Sequence, residues 1–385
     1  MNSPASYEQS PRDRGLENKA SETLSAPTQT RISTPVAEKD TPQSQITAVP
    51  YSIYTPKEKW FIVGLSAFAG LFSGLTSNIY FPAIPVIANA FNKSTELINL
   101  TVTVYLVLQG ISPMIWGTLS DRYGRRPVFL ACLLVLAVSC VGLALVPTSA
   151  YWLLMLLRCL QAAGGASTIA LGAGVIGDIA TRAERGGFFG LYTVGPLIGP
   201  AIGPVMGGAL SDSFGWRSIF WFMCIASSCY FVILLLLLPE TLRLLVGDGS
   251  YLPGKLHRPV IPILGRGRIS SEPAKRPPPP GLPNPLRILM YPDVMAQLIF
   301  NGINYAVFSA VVATIPSLFK VSYPYLSETK IGLCYMSIGG GMMLGSFLHG
   351  KVLDWDYQNT KRQFARRGST TGRCIKGRAV PHRTS

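Results

Sequence analysis

Apolar residues dominate this chain in long unbroken runs, separated by short polar breaks. "TVTVYLVLQGISPMIWG" and "VFLACLLVLAVSCVGLALVP" are two such runs, joined by "TLSDRYGRRP". The runs do not alternate polar with apolar, so the strands of a membrane barrel fit them poorly. A helix rising about 1.5 Å per residue needs about 20 apolar residues to cross a hydrocarbon core of about 30 Å. The pattern therefore predicts eight membrane-spanning helices, at roughly 60–82, 97–117, 127–147, 151–176, 188–210, 217–239, 293–319 and 331–353. The fold class this implies is an all-α polytopic membrane protein.

Polar stretches divide the spans into blocks. Residues 1–56 are rich in Ser, Thr, Pro, Gln and Glu and hold no apolar segment of the signal-peptide kind, which predicts a disordered tail. Residues 57–240 hold six spans. Residues 241–290, with "KRPPPPGLPNP" among them, have the Pro- and Arg-rich composition of a linker rather than a packed domain. Two more spans occupy 291–355, and a basic tail fills 356–385. Span two ends in Gly117-Thr118-Leu119-Ser120-Asp121 and span eight in Gly350-Lys351-Val352-Leu353-Asp354, with the same Gly-to-Asp spacing. If span seven restarts the pattern of span one, a second set of six is expected. The polar sequence after about residue 360 supplies none of the remaining four.

Charge orients these blocks. Only 14% of residues are charged, against about 25% in soluble chains, yet the net charge is +15. Arg122, Arg125, Arg126, Arg182, Arg185 and the basic 240–292 stretch fall on one side of the spans, while the other side holds Lys93, Arg217, Lys320 and Lys330. The positive-inside rule then puts the N-terminus and the linker in the cytoplasm. Because the charge lies between and after apolar runs, nucleic-acid binding is a poor explanation for it. Six of the seven cysteines (Cys132, Cys140, Cys159, Cys224, Cys229 and Cys334) lie within apolar runs. None forms a C-x-x-C pair, so neither a disulfide framework nor a zinc site is expected. With three His, no G-x-S-x-G and no nucleotide loop, an enzyme would have no residues to carry its chemistry. No metal or cofactor is expected.

Three features carry candidate chemistry. The first is the break itself, where Asp121, Arg122, Arg125 and Arg126 crowd six positions between Gly117 and Pro127. Gly124 permits a tight turn, and a carboxylate with guanidinia at the interface can bond to each other and to helix ends. Asp121-Arg122-Tyr123 also spells the signature of G-protein-coupled receptors. In receptors, however, that triplet ends the third span and the N-terminus is outside. The second feature is Arg158, the one Arg, Lys, Asp or Glu well inside the first six spans. A charge there costs at least about 2.5–3.5 kcal/mol. It can snorkel to the outer surface or face a cavity, with Gln161 and Gln109 as possible polar neighbours. The third is span five, where Gly195, Gly199, Gly203 and Gly207 recur every four residues beside Gly208, and Pro196, Pro200 and Pro204 follow the same period. That spacing gives one face on which another helix can approach closely, while the prolines remove backbone donors and bend the helix. Its expected partner is span eight, at Gly341, Gly345 and His349.

"GTLSDRYGRR" resembles the signature loop between the second and third helices of the major facilitator superfamily. "LLRCLQAAGGA" is similar to the family's motif with a membrane-embedded Arg, and "GPLIGPAIGPVMGG" to its antiporter motif. "WRSIFWF" and "LPETLR" bracket span six as in fungal members of the twelve-span drug:proton antiporters. The resemblance covers about residues 51–357. It implies a complete N-terminal six-helix half plus the first two helices of a second half. It implies a charge relay of Asp121, Arg125 and Asp178 that locks the outward-facing state, with Gly117, Arg122, Gly124 and Arg126 completing the signature loop. It places Arg158 in a central cavity, in substrate binding or proton coupling, with Gln161, Asn78, Tyr80, Asn301, Asn304 and Tyr305 as further candidates. Span one lacks the Asp or Glu with which some relatives couple protons. The implied protein is a monomeric, multi-pass secondary transporter of the plasma membrane. It would export small organic molecules or drugs in exchange for protons, by alternating access. Its partners would be that small molecule, protons and the lipid bilayer, with no nucleic acid. The alternatives are a citrate-type organic-acid exporter, or a truncated chain without transport. With no counterpart of helices nine to twelve, the chain expressed alone is expected not to transport.

Overall fold

The computed structural model describes residues 51–265 apart from 183, 252 and 253, then 290–342, and scattered positions up to 360. The expected N-terminal tail before residue 51, the linker at 266–289, His349, the Gly350–Asp354 repeat and the tail from 361 lie outside the described residues. Among the described residues there are helices and turns but no strand.

The first span begins where its sequence says it should. Thr55 and Glu58 form a reciprocal cap: Thr55 N donates to Glu58 Oε2 at 2.7 Å and Glu58 N to Thr55 Oγ1 at 3.4 Å. Pro56 sits in the first turn, where its missing N–H costs nothing. Helix α1 (Pro56–Asn78) breaks at a single turn, Phe81–Ala83, and resumes as α2 (Ile84–Phe91), which Asn92 closes in the left-handed region at φ 52°. Then follow α3 (Thr95–Tyr123), α4 (Arg125–Leu145), α5 (Tyr151–Ile179), α6 (Arg185–Phe214) and α7 (Arg217–Leu237). After α7 come a one-turn helix, α8 (Arg243–Val246), and α9 (Pro292–Ser322). Residues 328–342 are helical as well, and are called α10. Seven helical segments among the described residues are long and apolar enough to cross a membrane; the eighth expected span is described only in its first part.

Helix α1 packs most extensively on α6 and then on α5; α5 also meets α3 and α4, and α7 covers α4. The α1–α6 seam is made by glycines on both sides. A Cβ built on Gly74 would lie 2.6 Å from Pro196 O, and one on Gly199 would lie 2.6 Å from Gly74 Cα. Gly195 faces the Ala67 backbone, and Gly203 and Gly207 face Asn78 and Ile79. The glycine face of span five therefore meets span one, not span eight. Ala67, Gly70 and Gly74 of α1 form a small-residue stripe that accepts it. Helix α10 does reach α6, but on the neighbouring face: Gly332 sits over Pro204 and Gly339 over Ala201. Gly341 and Gly345 face open space.

Helix α9 touches this bundle mainly at α2 and the 81–83 turn. Only Val312 and Pro316 of α9 are buried.

The start of the linker is not the free tether its composition predicts. Val260 N donates to Leu235 O and Ile261 N to Leu236 O at 3.1 Å, so the strand-like stretch hangs on the last turn of α7. Gly265 N donates to Glu58 Oε1 at 3.0 Å, and Leu264 is buried.

Candidate functional site

Among the described residues, Arg158 of α5 is the one charged side chain with no exposed surface. Its guanidinium lies between two tyrosine rings, 4.2 Å from the centroid of Tyr80 and 4.3 Å from that of Tyr105. Its Nη1 donates to Gln161 Oε1 at 2.6 Å, one turn along the same helix. Gln161 Nε2 in turn reaches Cys140 Sγ at 3.4 Å. Tyr80 OH and Thr101 Oγ1 are 3.1 Å apart. Among the described residues, Arg158 Nε and Nη2 and the Tyr105 hydroxyl have no hydrogen-bond partner, and no carboxylate bridges the guanidinium. Two aromatic faces stabilise a desolvated cation by roughly 2 kcal/mol or more each, which offsets part of the burial cost. Full burial rules out snorkelling to the outer surface. Tyr105 escaped sequence reasoning, although Thr101, Tyr105, Gln109 and Ser112 mark one polar face of an otherwise apolar α3.

The bundle also holds a cavity of about 440 Å³, lined by residues of α1, the 81–83 turn, α3, α5, α6, α9 and α10. Asn78, Gln109, Pro196, Pro200, Tyr305 and Ser309 are among its walls. Asn78 Nδ2 is held by Gly74 O at 2.7 Å and Ser77 Oγ at 2.8 Å, while Gln109 Oε1 is buried without a partner. Among the described residues, the lining contains no charged side chain. Arg158, Gln161 and Tyr80 are not among the walls, though Phe81 and Leu106, the chain neighbours of Tyr80 and Tyr105, are. Asn301 and Asn304 do not reach the cavity at all. Both are exposed, and Asn304 Nδ2 turns back to Phe300 O at 2.8 Å. The reason is helical phase: Tyr305, Phe308, Ser309 and Val312 set the inward stripe of α9, which leaves Asn304 off it and Asn301 a turn below. The prolines of span five sit in one uninterrupted helix, with Pro196 and Pro200 turned to the cavity.

At the other end, the Asp121–Arg126 break folds into a clamp. Gly124 adopts φ +106°, which lets α3 end and α4 begin with one residue between them. Arg125 bridges two helices: Nη1 to Asp121 Oδ1 at 2.7 Å and Nε to Asp178 Oδ2 at 2.9 Å. Arg126, also buried, caps α7 through Leu235 O at 2.6 Å and holds the linker through Leu256 O at 2.5 Å. Arg122 stays exposed, its guanidinium 5.7 Å from the Tyr123 ring, and Gly117 faces open space. The centre of the clamp is Glu240, a residue sequence reasoning quoted only within "LPETLR". Its buried carboxylate accepts from Arg125 N at 2.8 Å and Arg126 N at 3.3 Å, the free donors opening α4. It also accepts from Thr241 N and Leu242 N, each at 3.0 Å. Burial pushes the Glu240 carboxyl above its ordinary value, and these N–H bonds and the nearby His257 pull it back. On the same side, Arg243 donates to Asp178 O at 3.0 Å and to Tyr51 O, and Lys59 pairs with Glu184 at 2.9 Å.

Comparison with known proteins agrees with this architecture. Residues 66–372 match the family described as the Major Facilitator Superfamily. Citrate exporter 1 of Aspergillus niger is 39% identical over 321 residues, 82% of this chain and 61% of the relative. Multidrug transporter QDR2 of Candida glabrata is 39% identical over 327 residues, 83% of this chain and 55% of the relative. Quinidine resistance protein 1 of Saccharomyces cerevisiae is 34% identical over 332 residues, 84% of this chain and 58% of the relative. The chain thus spans about three-fifths of the length of these curated relatives. Among solved structures, an inward-facing, unoccupied bacterial homolog to the human lysosomal transporter Spinster has the same fold. It superimposes with a TM-score of 0.54 at 15% identity, covering 77% of this chain and 64% of its own.

Proposed function

This chain belongs to the major facilitator superfamily, and on that premise we propose that it forms the pathway of a secondary exporter of small organic molecules, driven by protons through alternating access. The observation that carries this is the pairing of a largely apolar cavity, lined by a few neutral polar groups, with a buried cation in the same helix bundle. Asn78, Gln109, Tyr305 and Ser309 offer neutral donors and acceptors to a substrate. Arg158, with two unused N–H positions, supplies the one formal charge at that depth. Asp121, Arg125 and Asp178 act as the cytoplasmic lock, since Arg125 ties α4 to both α3 and α5 and must release one carboxylate if those helices separate. The N-terminus and the linker lie in the cytoplasm, and the protein works as a monomer in the plasma membrane.

One observation favours an anionic substrate. The described cavity walls offer a cationic molecule no carboxylate, whereas Arg158 would attract a carboxylate and repel a cation. Organic-acid export is therefore the second form of the proposal. Two proteins test both: the chain itself, and the chain continued past residue 360 with the remaining helices of a fungal relative. Efflux of citrate and of quinidine is measured from cells under a proton gradient. Arg158→Ala is expected to abolish efflux in the extended protein while membrane levels hold. Efflux by the extended protein that is indifferent to Arg158 overturns the assignment.

A further inference from the structure

Residues 256–263 ("LHRPVIPI") form an exposed apolar strip in a place that a soluble linker would not put one. Leu256 is 68% exposed, Val260 62%, Ile261 43% and Ile263 58%, while the next residue, Leu264, is buried at 8%. The strip is fixed, not trailing. Val260 N and Ile261 N bond to the carbonyls of Leu235 and Leu236, the last turn of a membrane-spanning helix. Arg126 Nη1 holds Leu256 O, and His257 Nε2 lies 2.8 Å from Tyr123 O. Gly265 N is tied to Glu58. Pro259 and Pro262 keep the stretch extended and remove two donors that lipid could not satisfy.

These bonds set the depth of the strip. Carbonyls at the end of a spanning helix lie where acyl chains give way to headgroups, so side chains hung on them lie there too. Ile225, Val232 and Ile233 of α7, the membrane-spanning helix on which the strip hangs, are exposed and apolar as well, as lipid-facing positions are. Charge is complementary: residues 241–290 hold eight Lys or Arg against Asp248 and Glu272. Such a segment is drawn to the anionic lipids of a cytoplasmic leaflet. We propose that residues 256–263 are an in-plane membrane strap, with Leu256, Val260, Ile261 and Ile263 seated among the lipids at the end of α7. Which leaflet this is rests on the orientation proposed above; the lipid contact does not.

The test uses the full chain with Cys229, Cys334 and Cys374 replaced by serine, reconstituted in vesicles of phosphatidylcholine and phosphatidylserine. A nitroxide is placed at Ile261→Cys or Ile263→Cys, with Ile225→Cys as the lipid-facing standard and Lys93→Cys as the aqueous one. Relaxation by oxygen should exceed relaxation by a nickel chelate at both strap positions, as at the lipid-facing standard. Nickel dominating at either position puts the strip in water and overturns the proposal. Exclusion of both reagents means that protein covers it, and overturns the proposal equally. All outcomes are independent of Arg158 and efflux, so a failed strap leaves the transport reading standing, and the reverse.

Discussion

The seam between α1 and α6 makes the most direct physical prediction. Consider Gly199→Ala. The new methyl would lie 2.5 Å from Leu75 N and 2.6 Å from Gly74 Cα. Carbon contacts settle at roughly 3.5–4.0 Å, so the helices must part by about 1 Å. Backbone cannot swing aside as a flexible side chain can, which places the cost toward the upper end of the roughly 1–3 kcal/mol seen for overpacking. The better helix propensity of Ala returns about 1 kcal/mol at most. A net loss of about 2 kcal/mol follows. Gly64→Ala is the matched control, because a Cβ there meets no atom within 4 Å; it should be neutral or slightly stabilising. Thermal unfolding in detergent can be followed by the reaction of the buried thiols of Cys132 and Cys140 with a fluorogenic dye. Gly199→Ala should unfold lower than Gly64→Ala by on the order of 5 °C. Equal midpoints would show that the seam is looser than described, and the argument from close approach would fall.

Three further expectations share that assay or a close relative of it. Glu240→Ala leaves the N–H groups of Arg125, Arg126, Thr241 and Leu242 without their acceptor and should cost at least about 1–3 kcal/mol; an unchanged midpoint would mean that water replaces it. Arg125→Lys cannot bridge two carboxylates with a planar fork, so double electron–electron distances between labels on α3 and α5 should broaden at the Arg125 end, and unchanged distributions would clear Arg125 of the locking role. The bond from Lys59 holds the Glu184 carboxyl below its ordinary value, so its contribution is present at neutral pH and fades as pH falls through the ordinary and then the lowered value. The midpoint gap between the unaltered chain and Glu184→Gln should therefore narrow on acidification, and a gap that widens contradicts the pairing.

The sequence was most legible where a position has few alternatives. A run of apolar residues has nowhere to go but lipid, so the spans were predictable. Asp121 and Arg125 were readable because opposite charges four residues apart at a helix end seek one another, whereas Asp178 entered only through the family resemblance. Partners on other helices were much harder to read. The four-residue period of span five marks a face but not its neighbour, and Gly70 and Gly74 of span one were the overlooked match. Tyr105 was missed because an aromatic ring in an apolar helix looks like packing until an arginine is found against it. Glu240 was hidden for another reason: it acts through backbone donors 115 residues away in sequence, and backbone donors leave no trace in a sequence. The strap was obscured by composition, since proline and arginine looked like linker while the apolar residues between them did the anchoring.

The glycine seam also determines which errors the protein can repair. Where two side chains meet, an enlarged residue can be accommodated by trimming its partner, and genetics finds such second-site suppressors on the facing helix. At Gly195 and Gly199 the facing atoms are the backbone of Ala67, Gly74 and Leu75, so no smaller residue exists to substitute. Gly70 differs, since its nearest neighbour is the ring of Pro196 at 3.0 Å. Revertants of enlarged Gly70 can therefore arise across the seam at Pro196. Those of Gly195 and Gly199 can arise only at the codon itself, or from changes elsewhere that let the whole helix shift.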